Sequence, residues 1–219
     1  FANFEQARSY TQSQPFTLIF PSDQALQFAP ATSKARELLT KYPAPKGTPV
    51  PGRPEYTFRD YAFPLNQRTN FLLGRGDYSL PNSTARITAR YAFSQNTQDD
   101  FAFSPYPDFS SPLMVRGQNL SLNYTRDLAG GTNELKFGMN RNSVSLHRAH
   151  PEIPTLSSED GTQLPGSAAA YDYAFRDTVF HVLDNYNRLV GRHALTVGGE
   201  WRPFLHDSLR SEEHTSELQ

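Results

Sequence analysis

Between residues 70 and 93 the chain reads NFLLGRGDYSLPNSTARITARYAF, two runs of about ten residues around a break at Pro81-Asn82-Ser83-Thr84. In the second run Ala85, Ile87, Ala89, Tyr91 and Phe93 alternate with Arg86, Thr88, Arg90, Ala92 and Ser94. A period of two sends successive side chains to opposite faces of a strand, so this stretch predicts a hairpin with one apolar and one polar face. The alternation excludes an amphipathic helix, whose apolar positions recur every three or four residues.

The same unit recurs with a fixed rhythm of connections. Residues 1–10 begin as a strand, with Ala2 and Phe4 on one face and Asn3 and Glu5 on the other. A long connection over residues 11–66 holds prolines at 15, 21, 30, 43, 45, 49, 51, 54 and 64. That density predicts extended or turn structure with no central strand. One short helix is expected inside it, capped by Thr32 or Ser33 and ended before Pro43. The first strand of the hairpin spans residues 67–80, with Phe71, Leu73, Arg75 and Asp77 opposite Leu72, Gly74, Gly76, Tyr78 and Leu80. A loop over residues 97–115 leads to a strand at 117–128, the tight turn Ala129-Gly130-Gly131-Thr132 and a return strand at 133–146. A third long loop over 147–176 precedes strands at 177–188 and 194–202, joined by a turn at 189–192.

The count is about seven strands, with connections alternating between about four residues and roughly 20 to 55. Long loops at one end and tight turns at the other match a transmembrane β-barrel. A soluble sandwich uses shorter strands and does not sort its loops by length, and a propeller would show a blade repeat that is missing here. Tyr91, Phe93, Tyr124, Tyr186 and Trp201 are the expected interfacial aromatics.

Composition fits this class. Mean hydropathy is −0.61, and no apolar run approaches the ~20 residues of a membrane helix. A barrel strand needs only one apolar face. With 21 basic and 22 acidic residues, no field favours nucleic acid. The absence of cysteine excludes disulfides and thiolate metal sites. The start at Phe1, without methionine or signal peptide, reads as a cut. Residues 210–219, RSEEHTSELQ, coincide with the translation of a common sequencing adapter, so the expected native unit is 1–209, with an artefact tail at 210–219.

Four segments, in order, resemble the barrel of TonB-dependent outer-membrane receptors, in particular the Oar-like group. FANFEQAR at residues 1–8 resembles an early strand of the type F-x-N-Y-E-x-x-R. NQRTNFLLGRGDY at 66–78 resembles N-Q-x-x-x-R-x-D-Y, with Arg75 and Asp77 at the matching positions. TNELKFGMNR at 132–141 resembles N-E-x-R-x-G-x-x-R, and GRHALTVGGE at 191–200 resembles G-x-H-x-x-x-x-G-x-E. The resemblance covers nearly all of residues 1–209. It implies an all-β portion of a large barrel with long extracellular loops and short periplasmic turns, in a bacterial outer membrane. It further implies energised uptake of a bulky solute, a glycan or metal chelate, through a barrel closed by its own plug and driven by the TonB complex. Plug, TonB box and closing aromatic strand are not in this sequence, so transport rests on the resemblance. The other classes are a structural or adhesive barrel and a passive porin.

Polar residues facing a lumen are the candidate site: Arg75, Asp77, Arg86, Arg90, Asn119, Asn123, Glu134, Lys136, Glu200 and Arg202. Cross-strand charge ladders that stabilise the wall are the plainer role for the same residues. The Arg75-Gly76-Asp77 tripeptide lies inside a predicted strand, away from the loop tip that adhesion requires. His147 and His150 lack an evident third ligand for a metal. No nucleophile–base set or dinucleotide fingerprint is present, so neither enzyme activity nor a cofactor is expected.

Overall fold

The computed structural model describes residues 1–153, 156, 158–167 and 172–210. Its main body is one antiparallel sheet in up-and-down order. The strands are β1 (Ala2–Ser9), β5 (Gln67–Ser79), β6 (Ala85–Ala102), β7 (Ser111–Leu128), β8 (Gly131–Leu146), β9 (Tyr173–Val190), β10 (His193–Trp201) and β11 (Phe204–Arg210). A smaller sheet is built from β2 (Phe16–Pro21), β3 (Thr48–Val50) and β4 (Arg53–Tyr61), in the order β2-β4-β3. Two helices accompany it, α1 (Ala25–Phe28) and α2 (Lys34–Lys41).

β10 and β11 occupy one strand position. Both pair with β9; Trp201 faces Val182 and Phe204 faces Val179, three positions on along each chain, so the register passes unbroken through Arg202-Pro203. The wall therefore has the expected seven strand positions, β1-β5-β6-β7-β8-β9-β10. Its path is open, since β1 and β10 do not pair. An open edge is untenable in lipid, so a membrane wall of this kind is completed by further strands.

The connections segregate as the rhythm predicts. Residues 80–84, 129–130 and 191–192 turn at one end of the sheet. Gly130 at φ 90° and Gly191 at φ 62° take the left-handed conformation that such tight turns require. The connections over 10–66, 103–110 and 147–172 leave from the other end.

Strand boundaries depart from expectation where the apolar–polar alternation fades. β6 runs on to Ala102 and β7 starts at Ser111, so the loop expected over 97–115 shrinks to 103–110. QNTQDD at 95–100 is polar on both faces, yet residues 95–98 stay laddered because β5 and β7 supply partners, and the β7 pairing resumes at Ala102 after a register shift. β9 begins at Tyr173, because Tyr173-Ala174-Phe175 is apolar on both faces and so shows no alternation, while β8 ladders its backbone. β11 was not foreseen, because Pro203 interrupts the pattern without interrupting the register. Of the 210–219 tail only Arg210 is described, as the last residue of β11.

The larger correction concerns residues 11–66, where the proline count predicted no central strand. The β1–β5 pair climbs on through Leu65 N–H to Thr11 O (2.8 Å) and Ser13 N–H to Phe63 O (3.0 Å), and opens into the three-stranded sheet. The prolines keep to permitted places. Pro21 and Pro49 sit on the outer strands, and Pro54 falls where the β3–β4 register slips, between the Val50–Arg53 and Pro49–Thr57 pairs. The expected helix is α2. The Ser33 hydroxyl accepts from Arg36 N–H at 3.2 Å, and Leu38 and Leu39 are buried.

The core lies in the loops. Phe20, Leu38, Tyr106, Phe109 and Ile153 form one buried cluster, drawn from all three long connections, with Leu18, Tyr42, Ala44, Tyr61 and Leu156 packed against it. In the wall only Ala85 and Leu146, at strand ends, are buried hydrophobics.

Candidate functional site: the polar wall face and the loop cap

Side chains of residues directly opposite in an antiparallel ladder share a face. The wall registers place odd positions of β5, even of β6, odd of β7, even of β8, odd of β9 and even of β10 on one face. All ten candidates, Arg75, Asp77, Arg86, Arg90, Asn119, Asn123, Glu134, Lys136, Glu200 and Arg202, fall on it. The face is polar but not uniformly so, since Phe71, Leu73, Leu183 and Phe175 share it.

The structure gathers eight of the ten into three groups. Around Asp77, Arg75 donates twice (2.9 and 3.1 Å), Arg86 once (3.3 Å) and Thr88 once (2.7 Å). Glu134 takes Asn123 Nδ2 at 3.2 Å and lies 2.9 Å from Lys136 Nζ. Glu200 lies 2.7 Å from Arg202 Nη2 and 3.3 Å from His181 Nε2. His181 was missed in the sequence because β9 alternates weakly; its pairing with Gly138 puts it on this face. Arg90 and Asn119 have no side-chain hydrogen bond or ion pair among the described residues. Every pair is partly exposed, which limits each to the ~0–1 kcal/mol typical of solvated ion pairs.

The opposite face is apolar and exposed. Rows such as Gly76–Ala89–Leu122–Phe137–Val182–Trp201 and Gly74–Tyr91–Leu120–Met139–Phe180 run across it. Leu122 at 39%, Leu135 at 42% and Trp201 at 65% exposure would be costly in water, and a contiguous surface of this kind marks a membrane contact. Toward the long loops the band passes through the mixed row Leu72–Phe93–Gln118–Arg141–Thr178–Leu205 and ends at the row Gln6–Asn70–Gln95–Arg116–Ser143–Arg176–Asp207. This row is polar, with Arg116 on Gln95 (3.0 Å) and Gln6 on Asn70 (2.8 Å). Toward the turns lie Tyr78, Tyr124 and Tyr186, the arrangement of an interfacial girdle. Tyr91 and Trp201, expected at strand ends, instead sit mid-band, because their strands are longer than their alternation shows.

The long loops form a cap. Beyond the cluster around Phe20, three polar ties hold them together. Tyr106 donates to Gln163 O at 2.8 Å, Gln163 N–H donates to Ile19 O at 2.8 Å, and Tyr56 donates to Asp160 Oδ2 at 2.8 Å. Burial pushes the Tyr106 hydroxyl above its ordinary range. Hydrogen bonds from Ser158, then Thr162 and Tyr56, hold Asp160 well below the usual carboxylate range. His150 packs on Phe109 (4.8 Å) and pairs with Glu152 (3.0 Å), while His147 pairs with Asp172 (3.2 Å), so the two histidines serve different carboxylates. Among the described residues no three potential ligands converge on a metal position.

Within the first loop a cavity of about 390 Å³ opens between the small sheet and α2. Pro21, Pro43, Pro45, Pro49 and Pro54 wall it together with Leu26 and Leu39. Asp23 and Lys46 stand at it without a described partner. Its size lies within the range of small-ligand pockets.

No curated protein and no solved structure matches the chain. The family of outer membrane beta barrel domains matches it over residues 2–217, nearly the whole length. A seven-position up-and-down wall, polar on one face and apolar on the other, with long loops at one end and tight turns at the other, is the architecture that family name describes. The chain belongs to the outer membrane beta barrel domain family and forms part of a barrel wall in the bacterial outer membrane.

Proposed function

We propose that this wall belongs to a TonB-dependent receptor of the Oar-like type, which imports a bulky solute with energy delivered from the inner membrane. The observation that carries the reading is the cap. Three loops separated in sequence share one hydrophobic core, and the first of them holds a cavity. A passive pore gains nothing from ordering so much polypeptide at its mouth, whose conformational entropy opposes folding at roughly 1–2 kcal/mol per residue. A receptor gains a preorganised surface that captures solute. The four receptor-like segments support the same reading, since all four fall on wall strands and one contains the Arg75–Asp77 pair.

In this reading the apolar face meets lipid, the polar face lines the lumen against a plug of the same polypeptide, and the solute is a glycan or metal chelate. No chemical step is assigned to the protein.

The test is binding of the complete gene product, extracted from outer membranes, to the purified periplasmic domain of TonB. A stable complex, lost when the segment preceding this wall is deleted, is the expected result. A complete gene product that encodes no plug and binds no TonB domain would leave a non-transporting barrel.

A further inference from the structure

One row of the polar face differs from its neighbours. Running across the strands, Arg75 faces Arg90, Arg90 faces Ser121, Ser121 faces Gly138, and Gly138 faces His181. The unbroken register of the last strand sets Arg202 beside His181. The row is basic at both ends, small in the middle and free of acids. Toward the turns the acids are Asp77 and Glu200 in the next row and Glu134 in the one after; toward the loops the adjoining row has none, and Glu5 and Asp177, two rows away, are taken by Asn3 and His206.

Those acids are already committed. Asp77 accepts four hydrogen bonds, from Arg75, Arg86 and Thr88, which fills the usual capacity of a carboxylate. Glu200 serves Arg202 and His181, and Glu134 serves Lys136 and Asn123. Arg90 is left with no acid among the described residues, although it directly faces Arg75. Like charges in directly opposed positions destabilise a ladder, so a wall built only for stability would not place an exposed, unpaired arginine there. Beside it, Ser121 offers a hydroxyl and Asn119 an amide with no described partner, and beyond Ser121 the side chain of His181 lies against Gly138. A guanidinium with neighbouring neutral donors suits a planar or tetrahedral oxyanion.

The geometry points to Arg90, flanked by Ser121 and Asn119, as a binding position for oxyanion groups, carboxylate or phosphate, of a solute moving along the polar face. The inference rests on that face lining the lumen, and it adds the charge of the solute to the proposed transport.

The chain has no cysteine, so a single Ser121→Cys substitution gives the complete gene product a unique thiol in the row, provided the rest of that product is also made cysteine-free. Its labelling by a negatively charged and by a positively charged methanethiosulfonate is compared in outer-membrane vesicles. The ratio of the two rates cancels any change in thiolate fraction. The expected ratio, taken relative to a free thiol, favours the anionic reagent and falls about 25-fold when Arg90→Gln is added, each reagent's rate shifting about fivefold in opposite directions, the scale of one unit charge at contact distance in water. Arg90→Lys should preserve the preference, and rising salt should erode it. Leu122→Cys, on the apolar face, should resist both reagents. Labelling of Ser121→Cys with a ratio indifferent to Arg90→Gln overturns the oxyanion position and leaves the lumen intact. Ser121→Cys silent to both reagents ends the proposal. If Leu122→Cys is then reactive, the lumen assignment falls as well.

Discussion

The wall and the cap solve the same problem with opposite orientations. In the cap, water surrounds the loops, and Phe20, Phe109 and Tyr106 turn inward to 0%, 0% and 1% exposure. In the wall, Leu122 and Trp201 point outward at 39% and 65%, and side chains such as Asp77 and Glu134 collect on the other face. Order in the cap comes from a core assembled from three loops. Order in the wall comes from ladders in which each strand fixes the register of the next. Damage should therefore spread differently: through shared side-chain contacts in the cap, and along hydrogen-bonded strands in the wall.

Substitution at the centre of the cap gives the largest expected effect. Phe20→Ala or Phe109→Ala should cost the cap about 3–5 kcal/mol, the range for emptying a buried aromatic site. Limited proteolysis of the complete protein on intact cells should then cut within residues 10–66, while the heat-resistant migration of the folded barrel on gels persists. Loss of both together would join the two regions into one cooperative unit.

The wall is probed by placing a charge on each face of one strand. Leu122→Arg should destabilise by up to about 2–4 kcal/mol in urea unfolding from lipid, as for arginine on a lipid-facing barrel position near mid-bilayer. Ser121→Arg, one residue away on the polar face, should cost no more than about 1 kcal/mol, the scale of a like-charge pair with Arg90 directly opposite. Equal costs would mean that the faces are not differently solvated.

Smaller effects separate the ties within the cap. Tyr106→Phe removes the hydrogen bond to Gln163 O but keeps the ring, and should cost about 0.5–1.5 kcal/mol in cap protection. The Tyr56–Asp160 tie should depend on pH. The folded carboxyl of Asp160 lies below its unfolded value, so its contribution is complete above the ordinary carboxylate range near 4 and is lost as pH falls through the folded value. Protease susceptibility of the cap should rise on acidification, and Asp160→Asn should flatten that profile. A profile unchanged by the substitution would assign the acid sensitivity to other groups.

Much of the wall was legible because alternation is a local property. The hairpin at residues 67–93 needed no knowledge of the remaining chain, and the same parity placed the ten polar residues on one face. Legibility stopped where the alternation was lost, to polar residues on both faces at 95–98 and to apolar ones on both faces at 173–175. Residues 95–98 and 173–176 are strands through their neighbours' backbone groups, which leave no trace in their own side chains. The cap was hidden for another reason. Its core joins Phe20, Tyr106 and Ile153 across long separations, and prolines that read as breakers lie at edges and at a register slip. Arg90 was visible as a polar residue, but its lack of a partner was not, because that depends on which acids Arg75, Arg86 and Arg202 had already engaged.

The proline between β10 and β11 bears on how the wall comes apart. Phe180 N–H donates to Pro203 O at 3.1 Å, but a proline has no N–H to return the bond. The last zipper of the described wall thus lacks one tooth between two intact stretches, His193–Trp201 and Phe204–Arg210. Fraying from either end would halt there, so the halves should exchange their amide hydrogens as separate cooperative blocks, whereas β6 against β7, laddered without a break from Ala85 to Gln98, should exchange as one.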